Sequence, residues 1–439
     1  MQRPLGLHHI TAISGNAEEN LAFYYEVLGM RLVKRSVNQD DPGTYHLFYA
    51  DGEGSPGTDL TFFPWAHMKK GRKGVGITDE VLLAVPAGSL AYWQQRLSDF
   101  QIDHDPIKKR FGENSLSLRD PHGMELALVE LKHERSFSPW AASSVPADKQ
   151  VVGLHGARVL ERSLTLTGQF LTEHMGFMYM LSEEGWHRYS LPDERGYLGR
   201  SGMILDVKEI QAGRGEWGVG SVHHLAWRVS DEAHELALRA EIEAAGRRPT
   251  EVIDRFWFKS VYFMEPGGVL FELATDGPGF GVDEEMAELG ERLILPPWLE
   301  FHRPQIQSLS PQLSPQRITM QITPSAAKPK KPVSSTIPIS AMPSTPTGFP
   351  LRLGEWDKLN PKKNPFFEHA RLKAFLAEDE GKLVGRIAVI DNDGHNLTHS
   401  DNLAFFGFFE AESERVAKAL LDSAETYAKS LGRDTLRGR

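Results

Sequence analysis

The stretch "LHHITAI", Leu7–Ile13, returns in altered form as "VHHLAWRV", Val222–Val229. Both are short runs rich in β-branched and aromatic residues, which predicts strands, and each opens on a histidine pair. Working outward, each is followed by an amphipathic helix: "AEENLAFYYEVLG", residues 17–29, after the first, and "EAHELALRAEIEAAG", residues 232–246, after the second. Apolar residues recur there at i, i+3, i+4 and i+7.

The same order appears twice more. "DEVLLAVPA", residues 79–87, leads through "SLAYWQQRLSDF" to "SLSLRDPHGMELALVE", and "VVGLHGARVL", residues 151–160, leads through "LTGQFLTEHMGF" to "SGMILDV". Each segment is βαβββ-like, and self-similarity at this scale decides an architecture before any single residue does. The turns "DPHG", residues 120–123, and "EPGG", residues 265–268, fall at matching places before a last apolar strand. The expected fold class is α+β: four βαβββ units in two paired modules, residues 1–150 and 151–303. From about Pro304 to Pro350 the chain turns to Pro, Ser and Thr without periodicity, the composition of an extended linker. A small piece, residues 351–439, follows.

The chain has 439 residues, a formal charge of -10 and no cysteine. Net negative charge disfavours nucleic acid and anionic membranes as partners, and the absence of cysteine removes disulfides, thiolate metal sites and thiol nucleophiles. A metal would have to sit on His, Asp, Glu or Tyr. No run approaches the ~18 apolar residues of a membrane span, and "MQRPLGLHH" has no apolar signal region, so a cytoplasmic protein is expected.

Aligning the repeats sets His8 against His155, His9 against Gly156, His224 against Leu82 and Glu272 against Ala127. One copy carries ligand-capable groups where the other carries Gly, Leu or Ala, which reads as one retained site and one vacated site. Strand alternation predicts that only one histidine of each pair faces a given cleft. With His9 and His224 inward, His8 and His223 start on the opposite face but lie close enough in sequence to serve at the rim or to support the inward ligands. Two imidazoles and a carboxylate would form a facial triad with open positions, the set associated with non-haem Fe(II). Taken singly, a histidine on an apolar strand is more often packed core than ligand, and Glu272 could be an edge charge; the convergence at matching repeat positions favours a site. In "DRFWFKSVYFM", residues 254–264, Arg255 and Tyr262 stand among Phe256, Trp257, Phe258 and Phe263, an aromatic wall with two polar groups. A three-residue "PGG" loop would pair Tyr262 with Glu272 on one face; a two-residue loop would separate them.

These stretches, with "FELATD" at residues 271–276, resemble the ring-cleaving dioxygenases of the vicinal oxygen chelate superfamily, in particular the hydroquinone type, over about residues 5–303. The resemblance implies Fe(II) on His9, His224 and Glu272, with Mn(II) as the alternative metal and O2 as co-substrate. It places His8, Thr11, His223, Arg255 and Tyr262 around a small aromatic substrate. Arg255 and Tyr262 would stabilise charge developing on oxygen, and His8 or His223 would move protons. A glyoxalase-like lyase or isomerase, and a ligand-sequestering module of the bleomycin-resistance type, share this architecture and stay open, as does homo-oligomer formation.

Beyond the linker, "LKAFLAEDEGKLVGRIAVID" predicts a hairpin, "LAFFGFFEA" a strand and "ESERVAKALLDSAETYAKSLG" an amphipathic helix with Gly432 after its end. This resembles the N-terminal part of GNAT-like acyltransferases. No Gly-rich phosphate loop follows "FFGFFEA" and the chain stops at "DTLRGR", so a truncated domain without acyl transfer is expected.

Overall fold

The four histidine-bearing and histidine-free repeats fold as βαβββ units, each with its helix laid on one side of its strands. The first contains β1 (Leu7–Ser14), α1 (Ala17–Leu21, continued by a π-helical turn Ala22–Val27), β2 (Arg31–Asn38), β3 (Asp41–Ala50) and β4 (Asp59–Pro64). The second contains β5 (Ile77–Val85), α2 (Leu90–Asp99), β6 (Lys108–Arg110), β7 (Glu113–Arg119) and β8 (Glu125–Glu130). The third runs through β9 (Gly153–Glu161), α3 (Leu164–Glu173), β10 (Met178–Glu183), β11 (Trp186–Ser190) and β12 (Ile204–Glu209). The fourth runs through β13 (Ser221–Val229), α4 (Glu232–Ala244), β14 (Ile253–Asp254), β15 (Lys259–Met264) and β16 (Leu270–Thr275). Side-chain caps start three of these helices: Asn16 accepts from the Glu18 and Glu19 amides, Ser163 from Leu166 and Asp231 from His234.

This computed structural model describes residues 2–309, 313, 339–341, 370–379, 382–393, 395–396 and 401–438. The chain divides into two units, Met1–Met320 and Gln321–Arg439.

In the first unit the strands form two curled eight-stranded sheets. One has the order β14-β15-β16-β13-β1-β4-β3-β2, the other β10-β11-β12-β9-β5-β8-β7-β6. The first repeat therefore pairs with the fourth, and the second with the third, through the antiparallel contacts β1–β13 and β5–β9. This pairing brings two segments from opposite ends of the unit onto adjacent strands.

Alternation along each strand sends one set of side chains into the common core and the other toward the hollow of the sheet. On β1, Leu7, Ile10 and Ala12 join the core; on β13 Val222, Leu225, Trp227 and Val229 do, and on β16 Phe271 and Leu273. Each of the buried Val, Leu, Ile and Phe side chains among them contributes roughly 1.5–3 kcal/mol. His9, Thr11, His224 and Glu272 are among the residues facing the hollow, buried all the same.

The region expected to be linker begins with a helix, α5 (Arg303–Leu309); apart from Leu313 and β17 (Ile339–Ala341), the rest of residues 310–350 lies outside the described residues. In the second unit β18 (Ala370–Asp379) and β19 (Lys382–Asn392) form the expected hairpin, followed by β20 (Leu403–Ala411) and α6 (Glu414–Ser430). Val416, Leu420, Ala424 and Ala428 give α6 its buried stripe. A strand not expected from sequence, β21 (Thr435–Gly438), pairs parallel with β20. Among the described residues no helix is long and apolar enough to cross a membrane.

Candidate metal centre

Each histidine pair sits on a β-bulge, which corrects the expectation that strict alternation would part its members. Along the β1–β13 ladder Leu7 pairs with Trp227 and His9 with Ala226, so His8 is the extra residue; on the other strand Thr11 pairs with His224 and Ala12 with Val222, so His223 is extra. An extra residue breaks the alternation locally and re-aims the side chains beside it. The consequence is direct contact within each pair: His8 Nδ1 lies 2.9 Å from His9 Nδ1, and His223 Nδ1 lies 2.8 Å from His224 Nδ1.

Those contacts suit a tautomer that frees the far nitrogens of His9 and His224. Burial, and then the neighbouring His9, pushes the His8 pKa down to about 3; burial and His224 do the same to His223, also to about 3. Neutral His8 and His223 can accept a hydrogen bond at Nδ1, and the matching tautomer of His9 and His224 carries its proton on Nδ1 and a lone pair on Nε2. The two Nε2 atoms stand 3.3 Å apart. Glu272 Oε2 lies 3.2 Å from His9 Nε2 and 2.8 Å from His224 Nε2.

Glu272 is placed by pairing of β16 with both neighbours, opposite Ala226 on β13 and Tyr262 on β15. The Tyr262 pairing is the register that the longer "PGG" loop requires. Burial alone would raise the Glu272 pKa, but His9 and His224 hold it well below the usual carboxylate range. Ser260 donates to its Oε1 at 2.5 Å, while Oε2 has no hydrogen-bond donor. Three donors separated by 2.8–3.3 Å match cis ligands on a metal, since bonds of about 2.1 Å at right angles set donors about 3 Å apart. Two imidazole lone pairs and a buried carboxylate oxygen without a proton donor fit a divalent cation.

Around this cluster stand His46, Phe48, Phe63, Trp257, Phe258 and Tyr262. Phe258 touches both rings of the first pair, at 5.4 Å from His8 and 5.2 Å from His9. Trp217 lies against His223 at 4.6 Å. The Tyr262 ring meets His224 at 5.6 Å, and the Arg255 guanidinium lies 5.4 Å from the Tyr262 ring. Burial, then Glu272, raises the tyrosine pKa against the opposing effect of Arg255, so its hydroxyl stays protonated and able to donate. Arg255 is anchored by Asp40 at 2.9 Å. Thr11 Oγ1 contacts Thr61 Oγ1 at 2.8 Å.

The expected aromatic wall is only partly right. Trp257 and Phe258 line the cleft, but Phe263 is turned into the core against Phe271, because alternation sends it to the face opposite Tyr262. Phe256 packs on Trp257 and Trp298. Three contributors were not anticipated. Ser260 was legible, two residues from Tyr262 on the same face. His46 lies on β3 with no histidine partner to mark it. Buried Lys34 binds Asp283 at 2.7 Å, pairs with Glu284, and holds the turn whose Asp283 also accepts from Trp257; nothing in the local sequence links residue 34 to residue 283.

The other sheet repeats the two bulges, at Asp79 and His155, without the donors. Because Leu82 pairs with Ala127 where Ala226 pairs with Glu272, the counterpart of His224 is Glu80, not Leu82. The correspondences of His9 with Gly156 and Glu272 with Ala127 hold. A cation is already built into this second hollow: Arg158 lies 3.5 Å from Glu80 and 3.3 Å from Asp206, and Arg188 forms a two-point pair with Asp206. These ion pairs take up Glu80 and Asp206.

Residues 6–128 match the model of the Glyoxalase/Bleomycin resistance protein/Dioxygenase superfamily. The chain is 41% identical over 306 residues to MhqO of Bacillus subtilis (strain 168), a protein provisionally named a ring-cleaving dioxygenase; the match covers 70% of this chain and 96% of that protein. It is 32% identical over 309 residues to the chlorohydroquinone/hydroquinone 1,2-dioxygenase of Sphingobium indicum, covering 68% and 94%. A crystal structure of a dioxygenase, likewise so named provisionally, from Bacillus subtilis superposes with a TM-score of 0.67 at 40% identity, covering 72% of this chain and 99% of that one. With the paired βαβββ sheets and the convergent His, His and Glu donors, these matches show that the chain belongs to the glyoxalase/bleomycin resistance protein/dioxygenase superfamily, among its ring-cleaving dioxygenases.

Proposed function

We propose that this protein opens the ring of a hydroquinone-type phenol with O2, using Fe(II) held by His9, His224 and Glu272. The observation that carries the reading is the convergence of two Nε2 atoms and one carboxylate oxygen, with both Nδ1 atoms tied to neighbouring histidines. A ferrous ion there would supply an electron path between an aromatic oxygen and O2, and open positions for both.

The remaining steps belong to the protein. His8 and His223, engaged through Nδ1, orient the donors. Tyr262 donates its hydroxyl, and Arg255 sets a fixed positive charge beside it, toward negative charge developing on substrate oxygen. Trp257, Phe258, Phe48 and Phe63 provide an apolar wall that keeps water from the ring. We place the reaction in the cytoplasm, in the paired modules 1–150 and 151–303, and read residues 351–439 as a GNAT-like segment.

The test is oxygen uptake by Fe(II)-loaded protein prepared under argon and given hydroquinone, with Glu272→Ala beside it. Uptake by the wild type that is lost in the variant is expected. Wild-type protein that consumes no oxygen with any phenol, but turns over a hemithioacetal anaerobically, would overturn the dioxygenase reading in favour of a lyase.

A further inference from the structure

His46 is a polar group set into the apolar wall of the cleft, facing the convergent donors, and the reaction as described gives it nothing to do. It lies on β3, two residues from Phe48. Register carries its face back to the donors: Phe48 pairs with Thr61 on β4, and Thr61 with Thr11 on β1. The hydroxyls follow the same path, Thr11 Oγ1 to Thr61 Oγ1 at 2.8 Å and Thr61 Oγ1 to His46 Nε2 at 2.9 Å. Phe48 at 3.9 Å and Phe63 at 4.5 Å fix the ring plane. A side chain tethered at one nitrogen and clamped between two rings has little freedom left.

Its other nitrogen, Nδ1, makes no hydrogen bond among the described residues. The ring is neutral, because burial and then His9 and His224 hold its pKa well below the ordinary value. Whichever way the two threonine hydroxyls point, one tautomer follows: Nδ1 donates if Thr61 donates to Nε2, and accepts if Nε2 donates to Thr61. A hydroxyl is the ligand group that suits either state.

Resting on the dioxygenase reading, we propose that His46 is a specificity-determining residue that binds the second hydroxyl of a 1,4-dihydroxybenzene whose first oxygen lies at His9, His224 and Glu272. Position selects the para relation. β3 lies two strands from β1 in the sheet order, about 10 Å along the hydrogen-bonding direction. An ortho hydroxyl would stay beside the first oxygen, near the donors, whereas the far end of the ring projects toward β3.

The experiment measures binding rather than turnover. Fe(II)-loaded full-length protein under argon is titrated calorimetrically with hydroquinone and with phenol, which lacks the second hydroxyl, for the wild type, His46→Leu and His46→Gln. His46→Leu should weaken hydroquinone about 10-fold, the loss of one buried hydrogen bond, and leave phenol unchanged; His46→Gln should keep part of the preference. Equal losses for both ligands, or none, would overturn the assignment while leaving the dioxygenase reading intact. A wild type that binds neither ligand would overturn both.

Discussion

Replacing Glu161 by Gln should remove much of the pH dependence of this protein's stability. Glu161 ends β9, fully buried, and neither carboxyl oxygen has a hydrogen-bond donor. It packs on the turn that joins β15 to β16: a Cβ built on Gly267 would lie 1.2 Å from its Oε2. Burial, then the facing Glu265, pushes its pKa up to about 9. Glu265 accepts from Thr167 at 3.0 Å and from the Val269 amide at 2.9 Å, so the pair is stable with one proton, and that proton belongs on Glu161. A carboxyl that binds its proton more tightly when folded contributes full stability below its unfolded pKa, near 4.5, and loses it as pH rises toward 9. One proton corresponds to about 1.4 kcal/mol per pH unit, so the wild type should lose about 2.7 kcal/mol between pH 5.5 and 7.5 that Glu161→Gln does not lose. Urea unfolding of metal-free full-length protein at several pH values, followed by tryptophan fluorescence, gives both slopes. Parallel slopes would refute the reasoning. The turn also carries the hairpin of Tyr262 and Glu272, so assembly of the metal centre should follow the same titration.

Two further outcomes follow from named contacts. His8→Ala or His223→Ala should weaken ferrous ion binding about 10- to 100-fold, because each leaves a donor imidazole without its Nδ1 partner; chelator competition under argon measures this, and unchanged affinity would mean the bulges do not orient the donors. Gly267→Ala should cost about 1–3 kcal/mol through its clash with Glu161. In a Glu161→Ala background the same substitution should cost much less, and an equal cost in both backgrounds in thermal unfolding would show that the clash is not the cause.

The repeats, the helices and the last strand of each unit were legible because periodicity and turn chemistry are local properties. The register of Tyr262 against Glu272 was reduced to two loop lengths, and the structure chose the three-residue "PGG" loop that pairs them. Sequence also identified His9, His224 and Glu272, the donors that the fold brings together, since the repeats lack matching groups at Gly156 and Ala127. What tertiary structure alone decided lies where the ladder departs from regularity or joins distant segments. The bulges at His8 and His223 arise from pairing of β1 with β13, and no one-dimensional pattern states that a strand will gain an extra residue against its partner. The same slip displaced the counterpart of His224 from Leu82 to Glu80. His46 reaches the cleft through Thr61 and Thr11, and Lys34 braces Asp283 and Glu284, each across strands or loops far apart in the chain. Local composition fixes which face of an element is apolar; only the pairing of elements from opposite ends of the unit fixes which polar groups meet.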